Sequence, residues 1–290
     1  MNKNYKKIMS LIVACAVAVT AAPIFELPSA RVVNAAETSA SDTSTVSYDL
    51  NRDGSKDQIT FQTVRTDAAS TESPYSDFNV QVNGRATSLN ISEAWYYTYA
   101  YEFFNMGSKT FLFVDLTGDD DDGAKRIYSW EGSDFALQVD LNDEYKEYKG
   151  VCYHLTAEVG KVRGIRLVMN VRAQFTGLPM TDLKREYLLR RGKLKPLHQT
   201  SRVVRYHAVS EDEGSGARYL TASRKIITYR TKKCKKRSVK WIKSQSRVRV
   251  SRIYIGKGYT SYYVKGRGWY KVKNDVFKAE KLFSGVYYVG

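Results

Sequence analysis

Cysteine, proline and histidine are scarce in this 290-residue chain, with three, five and three copies. Three cysteines exclude a disulfide-stapled scaffold. Five prolines with 19 glycines exclude collagen-like and Pro/Gly low-complexity classes. No C-x-x-C or H-x-x-x-H pair is present, so a zinc site lacks its ligand set. A glycine-rich phosphate loop and a G-x-S-x-G elbow are missing as well. After residue 36 no stretch could span a membrane, and no amphipathic helix has a convincing start and stop. What the chain does have is 22 tyrosines and many β-branched residues in its later half, which leans towards sheet. With 43% hydrophobic and 26% charged residues it can build a core, and its length suits one or two domains.

Acidic charge is lacking in one place in particular. Residues 216–290 hold 21 Lys and Arg against only Asp275 and Glu280, a net of +19. Residues 1–36 carry +3 and the middle of the chain −6, within a total of +16. An acidic body followed by a strongly basic tail suits an anionic partner.

Residues 1–36 read as a secretory signal. Lys3, Lys6 and Lys7 form the basic start, Ile8 to Ala22 is uncharged and mostly apolar, and Val33-Asn34-Ala35 offers small residues to a signal peptidase. Cleavage is expected near Ala35 or Ala36. An uncleaved anchor is the rival, but the uncharged run ends at Phe25 and contains Pro23, so a span of ~20 apolar residues is barely reached. A lipid anchor at Cys15 is the weaker rival. The mature chain keeps Cys152 and Cys234, compatible with one bridge or with two separate buried thiols.

The pattern beyond is all-β. Residues 37–46 are small and polar and read as a linker. Ile59, Phe61 and Val64 mark a strand with a slip near its end. Phe78, Val80 and Val82 lead into a hairpin at Asn83-Gly84, where positive φ is needed. "KTFLFVDL" is an apolar run of strand length, and the aromatic stretch Ala94–Phe104 favours strand over helix. Ile165, Leu167, Met169, Val171 and Ala173 share one face, and a second hairpin pivots at Arg191-Gly192. Residues 47–209 are read as an acidic β module, a blade-like unit or a sandwich. Residues 210–218 form a second linker, and 219–290 hold five short strands with a bulge near Ser251, suggesting a small C-terminal β-barrel.

One loop carries a mechanism. Asp49, Asn51 and Asp53 are spaced by two, Gly54 follows, and Asp57 comes four after Asp53. A hard cation such as Ca²⁺ wants six to eight oxygens, and this spacing wraps them around one point, with the Ser55 carbonyl as a further ligand. An EF-hand would continue into a helix with Glu at the twelfth position, whereas Thr60 and a strand stand here. The pattern is similar to the calcium loops of FG-GAP/VCBS-type β-propeller repeats. That resemblance implies structural Ca²⁺ and no catalysis. A degenerate copy follows in which Asp115, Thr117 and Asp119 keep the first three positions and Asp120 replaces the glycine. Two copies cannot close a propeller.

The tail, Tyr219–Gly290, resembles bacterial Src-homology-3-like domains through "RVRVSRIYI…GWYKVK", with Trp269 in the usual aromatic position; the family's Asn-Val-Arg opening is replaced by "YLTASRKIITY". Such domains commonly bind cell-wall polymers. Lys232, Lys233, Lys235, Lys236 and Arg237 form the densest basic run and, with Trp269, are the expected contacts to an anionic surface.

Catalytic groupings are weak. Cys152 and His154 share a strand face, as a Cys/His site would, but a strand with a buried Cys is the closer reading. Asp140 and Asp143 form a carboxylate pair that sequence cannot place across a cleft. The expectation is a secreted or cell-wall-associated binding protein with no catalytic residues, binding calcium and an anionic cell-wall polymer or surface glycan. An extracellular enzyme anchored by its tail is the runner-up. Third comes a protein that docks a secreted partner through Ala94–Phe104. Nucleic acid ranks below these for an exported chain.

Overall fold

The computed structural model describes residues 31–35, 41–67, 70, 72–92, 95–119, 123–147, 151–207, 218–235, 237–274 and 282–284, with 31–35 and 237–239 described by their backbone alone. The expected linker 210–218 lies outside the described residues except for Arg218, and so do residues 1–30 and 36 of the expected signal and residues 37–40 of the first expected linker. Among the described residues no helix is long and apolar enough to cross a membrane.

The chain is all-β, as the composition indicated, and its first strands form two meanders. A front sheet runs β2 (Ser41–Tyr48), β3 (Asp57–Arg65), β4 (Tyr75–Val82) and β5 (Arg85–Ile91), all antiparallel. A central sheet runs β1 (Arg31–Ala35), β6 (Thr98–Met106), β7 (Lys109–Thr117), β8 (Lys125–Trp130) and β9 (Phe135–Asp140). Residues 41–46, expected as linker, belong to β2. Serines and threonines suffice there because β2 is an edge strand whose backbone pairs with β3, while Val46 and Tyr48 pack on the core.

Side-chain alternation explains why the central sheet is buried twice. Tyr99, Tyr101, Phe103, Leu112, Val114 and Leu116 point to the front sheet and meet Phe61, Phe78 and Val80. Phe104, Met106, Phe111, Phe113 and Ile127 point the other way, into a second core. This is why β7 reads as a continuous apolar run rather than an alternating one. Phe61 stacks on Tyr101 at 4.0 Å between ring centroids. Ala94 lies outside the described residues; most of the stretch from Trp95 to Phe104 is core, and of its aromatic rings Trp95 (70% exposed) and Tyr97 (37%) remain outside where a partner was expected to dock.

A short helix α1 (Leu141–Tyr145), capped by the Asp140 carboxylate on the Asp143 N–H at 3.1 Å, turns the chain to the rear. Asp140 and Asp143 thus form a helix cap. The rear sheet has ten strands: β10 (Cys152–Arg163), β11 (Arg166–Phe175), β12 (Met180–Arg190) with β13 (Lys193–Pro196) on its far end, and β14 (Ser201–Tyr206). It continues without a break into the tail. β15 (Leu220–Ala222) belongs to a small separate sheet with β18 (Arg247–Val248) and β22 (Phe283–Ser284). The strands β16 (Ile226–Tyr229), β17 (Arg237–Ile242), β19 (Val250–Ile255), β20 (Tyr259–Val264) and β21 (Gly268–Lys273) extend the rear sheet in the order β14-β19-β20-β21-β16-β17.

The tail strands do not close into the small barrel that the sequence suggested. The free edge of β19 pairs instead with β14, Ser201 opposite Ile253 and Arg202 opposite Arg252. Body and tail also share one core, in which Leu183, Val203 and Tyr206 join Val250, Ile253, Tyr262 and Tyr270. Tyr206 donates to the Val250 carbonyl at 2.7 Å across this seam.

Local turns match the sequence. Asn83 and Gly84 both have positive φ (51° and 76°), the geometry of a two-residue hairpin. Arg191 and Gly192 do the same at 51° and 73°. The bulge expected near Ser251 lies between Val250 and Arg252, and the slip in β3 lies between Val64 and Arg65. Ile165, expected on the apolar face with Leu167, sits in the β10–β11 turn and is 52% exposed.

Candidate anion-binding face and acidic loop

The acidic loop enters from β2 and leaves into β3. The Asp49 carboxylate accepts the N–H groups of Asp53 (3.1 Å) and Gly54 (2.9 Å), and Gly54 has φ +93°, a backbone setting suited to glycine. Asn51 Oδ1 also accepts from Asp53 N at 3.1 Å. Asp53 accepts from Ser55 N at 2.7 Å and from Asn51 Nδ2 at 2.8 Å, and these bonds, Ser55 first, hold its carboxyl below the usual carboxylate value. Asp49, Asn51 and Asp53 thus gather within one exposed turn. Asp57 is engaged elsewhere: its two oxygens take Leu50 N (3.1 Å) and Asn83 Nδ2 (2.8 Å), tying the loop to the Asn83-Gly84 hairpin. Ser55 meets Asp53 through its N–H. Among the described residues no group of three or more His, Cys, Asp or Glu converges as a metal ion would require. The side-chain oxygens of Asp49, Asn51 and Asp53 accept hydrogen bonds from within the loop, and Asp57 is turned towards the Asn83-Gly84 hairpin.

The second, degenerate loop has a cation of its own. The Lys125 ammonium, fully buried, lies 3.9 Å from Asp115 Oδ1 and donates to the Leu116 carbonyl at 3.2 Å. Asp115 also accepts from Thr117 Oγ1 at 3.2 Å. A lysine on the next strand, directly opposite Asp115 in register, supplies positive charge to this position. Asp120 lies outside the described residues.

The sulfur and carboxylate groups considered for catalysis are placed otherwise. Cys152 and Cys234 are two separate buried free thiols. Burial, and after it the Glu147 charge, pushes the Cys152 thiol well above its ordinary value, the reverse of an activated nucleophile. Its Sγ lies 3.5 Å from the Tyr145 carbonyl. His154 sits at positive φ (52°) in an irregular stretch of β10, so the strict alternation that would align it with Cys152 is broken.

The basic run of the tail lies in the turn between β16 and β17. Lys233 and Lys235 are exposed, and Lys232 leans over the Tyr254 ring at 5.0 Å while donating to Gln199. Lys236 lies outside the described residues, and Arg237 contributes the first backbone position of β17. Cations lie over exposed aromatic rings at two further places: Lys225 over Trp241 (4.8 Å) and Arg247 over Tyr219 (4.8 Å). Trp269 is 9% exposed and packs on Tyr263 with ring centroids 5.2 Å apart.

Register brings together residues that the sequence reading missed. Lys184 on β12 lies opposite Arg202 on β14, and Arg202 lies opposite Arg252 on β19. The same row runs on to Tyr263, then Trp269, then Tyr229. Directly opposed residues share a face, so three cations are followed by three aromatics across six strands. The rows on either side contain carboxylates held in ion pairs. Asp182 pairs with Arg172 (2.8 Å), Arg205 and His207 (2.9 Å). Glu186 pairs with Arg166 at 3.0 Å. The middle row has no carboxylate within ion-pair distance among the described residues. Sequence alternation marks Lys184, Arg202 and Arg252 as outward-facing, but only the β12-β14-β19 register aligns them.

No protein-family model matches the chain, and neither the curated proteins nor the solved structures provide a match.

Proposed function

We propose that the protein is an exported binding protein that its basic tail holds on an anionic surface, with a cell-wall polymer as the expected ligand. The observation that carries this reading is the pairing of cations with aromatic rings on the surface of the tail, where Lys232, Lys225 and Arg247 each lie over a ring. Such a face suits a chain-like polyanion that offers both charge and ring surfaces. Calcium at Asp49, Asn51 and Asp53, with Asp57 turning to join them, is the second part of the reading; it would stiffen the entry to β3 and take no part in chemistry.

The test is co-sedimentation of the intact chain with isolated cell walls over a salt series. Replacing Lys232, Lys233 and Lys235 by Glu should lower retention and flatten its salt dependence. Retention that ignores both salt and these substitutions would refute the reading. Removing the tail is not a clean test, because body and tail share a core and a sheet.

A further inference from the structure

The outer face of the seam between β12, β14 and β19 holds a cavity of about 170 Å³, lined by Lys184, Glu186, His198, Thr200, Arg202 and Arg252. By volume that equals roughly five to six waters in the liquid, room for a tetrahedral oxyanion and part of the group that carries it.

Three observations bear on what would fill it. First, Lys184, Arg202 and Arg252 are direct cross-strand neighbours, and like charges so placed repel at strand spacing. Second, the carboxylates on the same face of β12 are already used. Asp182 is held by Arg172, Arg205 and His207, and Glu186 by Arg166. Third, the donors come from several directions. Two guanidinium groups on adjacent strands, a lysine ammonium and the Thr200 hydroxyl line one space, and His198 adds an imidazole. A carboxylate offers its two oxygens in one plane, whereas a phosphodiester sets two charged and two ester oxygens tetrahedrally, which suits donors that converge from several directions.

We infer that this seam cavity is a phosphate-binding subsite, in which a phosphate group of the anionic polymer sits between Arg202 and Arg252 with Lys184 and Thr200 completing its contacts. The inference rests on the proposed retention of the chain by a polyanion and names the chemical class of that polymer. From the cavity the row continues over Tyr263, Trp269 and Tyr229, so the polymer crosses the strands rather than following one. Phosphate repeats would meet the cations, and the intervening sugar or polyol units would rest on the half-buried Tyr263 and Tyr229, with Trp269 (9% exposed) packed between them in the row.

The test uses calorimetric titration of the intact chain with inorganic phosphate, with linear polyphosphate, and with polygalacturonate as a carboxylate polymer of similar charge. Polyphosphate should bind at least tenfold tighter than inorganic phosphate, and polygalacturonate at least tenfold more weakly than polyphosphate. In Arg202→Gln and Arg252→Gln, polyphosphate affinity should fall tenfold or more, while the melting temperature without ligand stays level or rises because repulsion is relieved. Rescue by Arg202→Lys should be partial, since the fork is lost while the charge stays. Binding of inorganic phosphate alone, without a gain for the polymer, would assign the cavity to the free anion and overturn the polymer part. Equal binding of polygalacturonate, or unchanged polyphosphate affinity in both variants, would overturn the subsite. If walls are still retained through Lys232, Lys233 and Lys235 in those variants, the retention reading stands and this inference alone falls. If polyphosphate binds as expected and walls do not, the retention reading falls instead.

Discussion

Leu112 and Phe113 are consecutive residues on β7, and they provide a direct test of the layered architecture. Leu112 is 0% exposed and faces the front sheet, while Phe113 is 1% exposed and faces the rear core. In a sheet with one wet face, truncating one of two successive residues would be nearly neutral. Here both should be costly. Leu112→Ala removes a side chain packed among the front-sheet aromatics, and Phe113→Ala one packed beside Phe104 and Ile127, each opening a cavity that a doubly covered sheet cannot collapse. Typical losses at such sites are about 2–5 kcal/mol for Leu and about 3–5 kcal/mol for Phe. In a domain of this size each kcal/mol lowers the melting temperature by about 2–4 °C, so 3 kcal/mol corresponds to a drop of about 6–12 °C. Leu137, 52% exposed on β9, is the control, and its replacement by Ala should stay within about 0.5 kcal/mol of the parent. Urea unfolding followed by circular dichroism gives all three values on one scale. If either core variant unfolds within about 0.5 kcal/mol of the parent, that face of β7 is not buried and the three-layer arrangement is wrong.

Burial pushes the Asp182 carboxyl up, but hydrogen bonds from Arg172, Arg205 and His207 outweigh it and hold the group at about 2. A depressed carboxylate stabilises the fold above the unfolded value near 3.9, and that contribution is lost as pH falls from about 4 towards 2. Asp182→Asn should therefore cost about 1–2 kcal/mol at neutral pH and flatten the acid limb of a stability–pH profile; an unchanged limb would rule out this ion cluster as its source. At the acidic loop, millimolar Ca²⁺ should raise the melting temperature, and Asp49→Ala combined with Asp53→Ala should abolish that rise; a rise that survives the double variant places the ion elsewhere. Cys152 and Cys234 should resist a thiol reagent in the native chain and react after denaturation, with no change in melting temperature on adding reductant; a drop on reduction would reveal a bridge. Gly268→Ala should destabilise the β21–β16 pairing. At φ +120° its added Cβ would lie 2.6 Å from the Tyr229 carbonyl oxygen, and a wild-type melting curve would contradict that contact.

Elements governed by local chemistry were legible in the sequence. Asn83-Gly84 and Arg191-Gly192 are tight turns because their residues accept positive φ, and the Ser251 bulge follows from the switch of apolar face between Val250 and Ile253. The length and apolar content of β7 marked a strand, though its two burial partners lie far away in sequence. What depends on long-range pairing was not legible. Residues 41–46 have no core-forming side chains, so only pairing with β3 makes them a strand. The tail looked self-contained because its strands are short and follow one another closely, yet β19 finds its partner in β14 across a stretch of opposite charge. The candidate site shows the same division. The run Lys232–Arg237 stands out by density alone, whereas Lys184, Arg202 and Arg252 come from three segments, and each looks like an ordinary solvated charge until register sets them side by side.

The seam between β14 and β19 also bears on how this chain can be rearranged in evolution or by design. A cassette that can be moved between proteins carries its own core and its own ligand contacts. This tail carries neither in full: its apolar face is completed by Leu183, Val203 and Tyr206, and two of the three aligned cations, Lys184 and Arg202, belong to the preceding segment. A graft that moved Tyr219–Gly290 alone would transfer most of the positive charge but only Arg252 of the aligned trio. The smallest transferable unit therefore begins at or before Met180, where β12 starts.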